Sequence, residues 1–386
     1  MSQPARLGLF YAALFIGTGA SSPYMPVWFE GRGLNGAQIG LILSAPMLAR
    51  AVTAPAIAVW ADSFRLRRTP LILMCLASAA AYGLMAAPFG FAWWFAVWFV
   101  ASTIFSTCAP LTDVIVFNRS RTDGFNYGWP RGIGSVGFIV ANVAVGALLV
   151  RHSPELVIVW IVACALLAAW AARALLPPDP VLEGGSASRL SERLAGVSEL
   201  LKDKDFLLAV GSVGLIQSAH AFYYSFSTLS WKAQGIPESL TGVLWGVAVA
   251  VEVAFMWFME PWRRALGPRN LLMLGGAAAL VRWGVLAFSP PLWMVFPLQA
   301  LHTFTYAATF LASLQIVERL SKPANASAAQ TINSALSGGL LMGAATIGSG
   351  WLFDAFGAQG YLAMAAMSAV GLAGALRLYG VRRLDP

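Results

Sequence analysis

Apolar residues follow one another along this chain in runs far longer than the roughly 4–8 residues of a buried strand. They fall near residues 7–29, 37–60, 70–87, 91–117, 132–150, 154–176, 206–229, 236–259, 270–288, 292–316, 326–352 and 360–380. Each run is close to the roughly 20 residues a helix needs to cross a bilayer, where every backbone polar group must find its partner inside the segment. The pattern therefore predicts an all-α integral membrane protein with twelve transmembrane helices. The first run carries Gly, Ser and Pro that continue into the pattern, so it reads as the first span and not as a cleaved signal peptide.

Composition sharpens this picture. Of 386 residues, 58% are hydrophobic and 11% are charged, against about 45–50% and about 25% in soluble domains. The mean hydropathy is +0.70. Such an excess of apolar surface disfavours a soluble enzyme, a secreted disulfide scaffold and a nucleic-acid binder. Cys75, Cys108 and Cys164 sit in apolar runs with no metal or disulfide spacing.

The net charge of +8 changes the picture only once it is located. Arg32, Arg151 and Lys232 occupy one set of alternating connections. Arg50, Arg131 and Arg282 lie within or at the edge of apolar runs, and all the other Lys and Arg residues fall at the two termini or in the opposite set of connections. The positive-inside rule then places both termini in the cytoplasm of a bacterial-type inner membrane. The basic balance is topogenic, and lipid rather than nucleic acid is the expected macroscopic partner.

Residues 177–205 stand apart as a Pro-bounded, charged stretch containing Gly and Ser. They divide the chain into an N-terminal half (1–180), a cytoplasmic linker (181–205) and a C-terminal half (206–386), with six runs in each half. Leu190, Leu194, Val197 and Leu201 recur at helical spacing within the linker, which predicts a short amphipathic helix at the membrane surface. Six runs on either side of a long central loop resemble the layout of the major facilitator superfamily. That resemblance implies two six-helix halves moving by alternating access around a midplane site.

After the second run, AVWADSFRLRRTPLI places Asp62 at a cytoplasmic helix end beside Arg65, Arg67 and Arg68. It resembles, in degenerate form, the superfamily's Gly, Asp and Arg loop signature, with Ala58, Ser63, Arg65 and Leu66 replacing expected residues. The resemblance implies a cytoplasmic gate; a plain anchoring cluster is the alternative. Residues 260–269 are a weaker echo.

Ionisable side chains at bilayer depth are costly and therefore mark candidate function. Seven qualify: Arg50, Asp113, Arg131, His220, Glu252, Arg282 and His302. Asp113 and Arg131 are 18 residues apart across a predicted hairpin. With a turn centred between them, each lies about 10 Å up its helix at 1.5 Å per residue, so the two are expected to pair.

The run PLTDVIVFNRSRTDGFNYGWPRGIGSVGF resembles the lactose permease, of the oligosaccharide:proton symporters, and its relatives the nucleoside:proton symporters. Asp113 stands at the Pro-x-x-Glu position of those proteins and Arg131 at their helix-opening arginine. The Tyr127-to-Phe138 form looks more like the phenylpropionate transporter branch. NLLMLGGAAALVRWG and QALHTFTYA extend the resemblance to Arg282 and His302, with Thr305 in place of the permease glutamate that takes the proton. The resemblance implies substrate binding by Asp113 and Arg131.

Glu252 is the acid inside the C-terminal half, expected to join Arg282 and His302 in a proton-coupling cluster, with Asp113 as a further proton carrier. A fixed structural salt bridge is the alternative. Tyr24, Trp28, Tyr223 and Trp245 are expected to line an aromatic-accepting cavity. Arg50 either serves substrate or satisfies carbonyls freed by Pro46 and Pro55. His220 is either a ligand or a packing residue. The three arginines outnumber Asp113 and Glu252, which favours an anionic solute gripped through a guanidinium fork.

The expectation is a proton-coupled symporter of a small organic solute, an aromatic or other monocarboxylate such as 3-phenylpropionate. It is expected to work as a monomer with protons as the coupling ion and no cofactor. Sugar or nucleoside symport is the alternative within transport, and a non-transporting sensor is the alternative from another class. The intramembrane acids are too few and too dispersed for an enzyme.

Overall fold

The structure is a computed structural model, and it describes residues 1–181, 197–322 and 325–384. Helices cover every apolar run. They are α1 (Gln3–Gly31), α2 (Gly36–Asp62), α3 (Arg68–Leu84), α4 (Phe91–Asp123), α5 (Gly128–Leu149) and α6 (Glu155–Leu175), then α7 (Lys204–Ser218), α8 (Ala221–Ala233), α9 (Glu238–Phe258), α10 (Glu260–Leu286), α11 (Leu292–Ala300), α12 (Thr309–Leu320), α13 (Ala326–Ser334), α14 (Met342–Phe356) and α15 (Tyr361–Arg377). Among the described residues there is no strand beyond one isolated bridge, Leu66 to Pro180. Eight helical stretches are long and apolar enough to cross a membrane by length and composition, the last running continuously from Ala328 to Gly380.

The helices differ from the predicted runs at informative places. The seventh run is broken at Ala219 and His220 between α7 and α8. The ninth begins as a short exposed segment that turns at Gly267, whose φ of 74° lies in the left-handed region that favours glycine. The tenth and eleventh each contain a π-helical stretch, Thr303–Ala308 and Ala335–Leu341. Such wide turns release backbone groups and are frequent at functional sites. Elsewhere buried hydroxyls bond back to the helix, as Thr107 does to the Thr103 carbonyl and Thr112 to that of Cys108.

The contacts group into two compact units, one within Met1–Glu183 and Ser225–Ala250, the other within Gly184–Tyr224 and Val251–Pro386. In the first, α1 lies against α5 and α6, α3 against α4 and α6, and α2 against α4. Glycine permits the closest approach: a Cβ at Gly19 on α1 would lie 2.5 Å from the Phe138 carbonyl oxygen on α5. Residues 225–250 group with the first unit because α9 meets α5 backbone to backbone. A Cβ at Gly242 would lie 2.1 Å from the Asn142 carbonyl oxygen. The Tyr24 hydroxyl donates to that same carbonyl at 2.8 Å, and Lys232 pairs with Glu30 at 3.1 Å.

In the second unit, α10 lies against α15, α12 and the first π-helical stretch, and α7 lies against α15 and the second. Of the predicted linker helix, Leu190 and Leu194 lie outside the described residues, while residues 197–202 are helical. The buried leucine there is Leu200, and Leu201 is exposed. Asp203 then caps α7 by accepting from the Asp205 and Phe206 amides, and Arg383 reaches it at 2.5 Å. Burial alone would raise the Asp203 carboxyl, but Arg383 and the two amides outweigh it and hold the carboxyl below its usual range.

Three outcomes follow for thermal unfolding of the purified protein. Gly19→Ala should lower the midpoint by several degrees, because the new methyl meets a carbonyl and overpacking costs about 1–3 kcal/mol. Gly83→Ala, where nothing lies within 4 Å, should leave the midpoint unchanged or raise it. The lowered Asp203 carboxyl adds stability that is present above the ordinary aspartate range near pH 4 and is lost as pH falls through its folded value. The fall in midpoint between pH 7 and pH 3 should therefore be smaller in Arg383→Gln than in the native protein.

Candidate functional site

In the first unit, Asp113 and Arg131 do not form the expected ion pair. The turn between them is not centred: α4 continues to Asp123 and α5 starts at Gly128. Asp113 therefore sits about 15 Å from the end of its helix and Arg131 only about 5 Å into the next, at 1.5 Å per residue. Asp113 is held instead by two phenols, both donating to Oδ1: Tyr11 from α1 in a short hydrogen bond, and Tyr127 at 2.7 Å. The Tyr127 ring stacks on Phe117 at 4.1 Å, which directs its hydroxyl one helical turn back along α4.

The Arg131 guanidinium lies over the Phe15 ring at 4.2 Å and the Tyr11 ring at 5.5 Å. Among the described residues it has no acidic partner. A half-buried cation resting on aromatic faces is stabilised by their quadrupoles while its donors stay available to an anion. Tyr11 thus joins the two expected residues, its hydroxyl on the acid and its ring beneath the arginine. The sequence carried no signal for Tyr11, an uncharged residue in an apolar run, whereas Tyr127 lies inside the quoted motif.

The four aromatics expected to line a cavity are all buried. Tyr24 is committed to the Asn142 carbonyl. Trp28 donates to Glu155 at 3.1 Å beneath Arg32, and Tyr223 donates to Gln299 at 2.8 Å. Trp245 is buried on α9. Three of these rings have their polar tips satisfied inside the protein, and the aromatics beside Arg131 are Tyr11 and Phe15. Arg50 is exposed midway along α2, with no hydrogen bond to the carbonyls freed by Pro46 and Pro55.

At the predicted gate, Asp62 and Arg67 approach to 3.8 Å. Arg65 and Arg67 act through their backbone: the Val181 amide donates to the Arg65 carbonyl, and the Arg67 amide donates to that of Asp179. Arg68 donates to the Leu176 carbonyl. A forked ion pair, Arg119 with Asp179, fastens the same segment to α4. Sequence pattern hid that pair because Arg119 is one of many arginines in the connections between apolar runs and Asp179 lies beyond α6.

In the second unit, Arg282, His302, His220 and Glu252 do come together. Arg282 is fully buried and donates to His302 Nδ1 at 3.0 Å, to Gln299 Oε1 at 3.0 Å and to Thr305 Oγ1 at 3.3 Å. Its guanidinium carbon lies 4.4 Å from the Tyr223 ring and 4.6 Å from that of Trp283. A guanidinium only donates, so His302 Nδ1 supplies a lone pair and the ring proton sits on Nε2. That nitrogen faces Glu252 Oε2 at 3.6 Å.

His220, buried at the break between α7 and α8, lies 2.8 Å from the Gln217 carbonyl through Nδ1 and 2.9 Å from the Thr305 hydroxyl through Nε2. A carbonyl accepts, so Nδ1 carries the proton and Nε2 accepts from Thr305. Thr305 therefore links His220 to Arg282, and Gln299 links Arg282 to Tyr223. Neither was singled out as a site residue, although both lie in or beside the quoted QALHTFTYA run. A proton placed on His302 Nδ1 would displace the Arg282 donor.

The model of the MFS_1 like family matches residues 5–363. The chain belongs to that family. It is a major facilitator transporter of the bacterial inner membrane, a multi-pass protein and not an enzyme. It is 28% identical over 357 residues to the "Probable 3-phenylpropionic acid transporter" of Escherichia coli (strain K12), covering 91% of both chains. It is 31% identical over 351 residues to the maltose permease of Geobacillus stearothermophilus, covering 90% of this chain and 86% of the relative. In fold it resembles the nucleoside transporter NupG, with a TM-score of 0.83 at 18% identity, covering 98% of this chain and 99% of that one.

The network around Arg282 predicts a graded response at Thr305. Thr305→Val keeps the shape but removes the acceptor for Arg282 and the donor for His220, and should cost about 1–3 kcal/mol. Thr305→Ser should cost much less. Thermal midpoints of the two variants, measured side by side in detergent, check this ordering.

Proposed function

We propose that this chain is a proton-coupled symporter of a small monocarboxylate, with 3-phenylpropionate the first candidate. Its helices make twelve crossings with both ends cytoplasmic, and it works by alternating access. The observation that carries the reading is the division of labour between two cations. Arg131 rests on aromatic rings with no acidic partner among the described residues, which suits a carboxylate attached to an aromatic ring. Arg282 is occupied by neutral acceptors beside Glu252 and His302, which suits proton transfer rather than first capture of an anion.

In this reading substrate docks its carboxylate on Arg131, and its ring takes a place beside Tyr11 and Phe15. Asp113, shielded by two phenols, sets the position of Tyr11. Glu252 takes the proton and loses its attraction for the His302 Nε2–H, which frees that side of the Arg282 network to rearrange. Arg67 with Asp62, and Arg119 with Asp179, act as the cytoplasmic gate and its anchor.

A second reading, symport of a neutral sugar, is favoured by the likeness to a maltose permease. It would use the free oxygen of Asp113 as a hydroxyl acceptor. Vesicles reconstituted with purified protein and a trapped pH dye separate the two. External 3-phenylpropionate should acidify the lumen beyond the protein-free control, and Arg131→Gln should reduce that rate at least ten-fold. Acidification by maltose and not by 3-phenylpropionate would move the chain to the sugar reading.

A further inference from the structure

Four buried donors around Arg282 have no hydrogen-bond partner among the described residues: Arg282 Nε, Gln299 Nε2, Trp283 Nε1 and the Tyr361 hydroxyl. They are contiguous. Gln299 is bonded to Arg282, whose guanidinium lies on Trp283. Trp283 in turn stacks on Tyr361 at 5.7 Å with the rings 6° from parallel. Buried polar groups in proteins are almost always satisfied, by protein or by ordered water. One isolated orphan can be tolerated, but a connected file of four calls for water along its length.

An independent feature lies close in sequence to one end of this row of donors. A surface cavity of about 510 Å³ lies between residues 287–289 after α10 and the turn joining α14 to α15, with Ser289 and Gln359 as its polar side chains. Ala287 is one helical turn beyond Trp283 and donates its amide to the Trp283 carbonyl. Tyr361 directly follows the short 3-10 turn, Gly357–Gly360, that forms the other wall. Ser289 holds a φ of 50°, uncommon for a residue other than glycine, at the lip of the cavity.

We infer that a file of water runs from this cavity past Tyr361, Trp283 and Gln299 to His302 and Glu252, and that it delivers protons to Glu252 by a path separate from the substrate's. The inference rests on the proton-coupling reading above. Trp283 and Arg282 only donate, so they orient water, while the water molecules themselves pass the proton and each returns to its original form. The titratable and charged groups around His302, which faces Glu252, include Arg282 from α10, His220 at the α7–α8 break, Tyr223 and Tyr224 from α8 and Tyr306 from the first π-helical stretch. Arg282 keeps the file from holding a free hydronium, so the proton resides on Glu252.

The test has two arms. In right-side-out vesicles of a cysteine-free background, Tyr361→Cys and Gln299→Cys should react with external silver ion at least ten-fold faster than Phe222→Cys, whose ring packs on Tyr361. Plugging the cavity with Ala358→Trp should slow both reactions about ten-fold. Protection equal to Phe222→Cys, or reaction that ignores the plug, would overturn the file. In the second arm, Ala358→Trp alone should slow pH-gradient-driven uptake of 3-phenylpropionate about ten-fold while changing its exchange at equal pH less than two-fold. Equal loss of both would overturn the proton role. Silver access without any gradient-driven uptake by the native protein would overturn the coupling reading while supporting the hydrated file.

Discussion

A guanidinium at bilayer depth must hand its hydrogens to acceptors, and the second unit is organised around meeting that demand at Arg282 without a direct carboxylate contact to it. Gln299, His302 and Thr305 lie on one face of one polypeptide run and supply the oxygens and the nitrogen. The π-helical stretch Thr303–Ala308 falls on this face. α10 approaches it through Gly275, where a Cβ would lie 2.9 Å from the Phe304 carbonyl oxygen. The close helix contact, the wide turn and the break at His220 are all conditions for the same set of hydrogen bonds. Because a partly satisfied buried network costs more than none, the network behaves as a unit.

The first unit treats its cation in the opposite way. Arg131 is given aromatic faces and no counter-charge, while the nearby carboxylate is satisfied by phenols. Separating Asp113 from Arg131 leaves a cation whose strongest available partner is an anion from solution. A direct salt bridge would have made substrate compete with an intramolecular acid, at a cost in affinity. The two arrangements put an exchangeable charge in one unit and a fixed one in the other.

Much of this was legible in the sequence. Every apolar run became helix, and the seven ionisable residues at bilayer depth include those that carry both clusters. The Tyr-Gly-x-x-Arg run and the QALHTFTYA run pointed to Arg131 and His302. What the pattern could not give was depth and partner choice. The sequence pattern centres the turn after α4 between Asp113 and Arg131, but helix persists to Asp123 and a glycine in the left-handed region, Gly124, ends it. That shift of a few residues separates Asp113 from Arg131. Tyr11, Gln299 and Thr305 are neutral, and neutral side chains acquire meaning only once a charge is placed beside them. Tyr24, Trp28 and Tyr223 show the same limit: each is buried with its polar tip on a particular acceptor, a choice that composition does not encode.

The central claim is that anion capture and proton uptake belong to different residues, Arg131 and Glu252. Calorimetric titration of the purified protein with 3-phenylpropionate in two buffers of different ionisation enthalpy measures protons taken up per ligand bound. The account predicts net proton uptake in the native protein, binding without proton uptake in Glu252→Gln, and loss of binding in Arg131→Gln. Undiminished proton uptake in Glu252→Gln, or unaltered binding in Arg131→Gln, would contradict it.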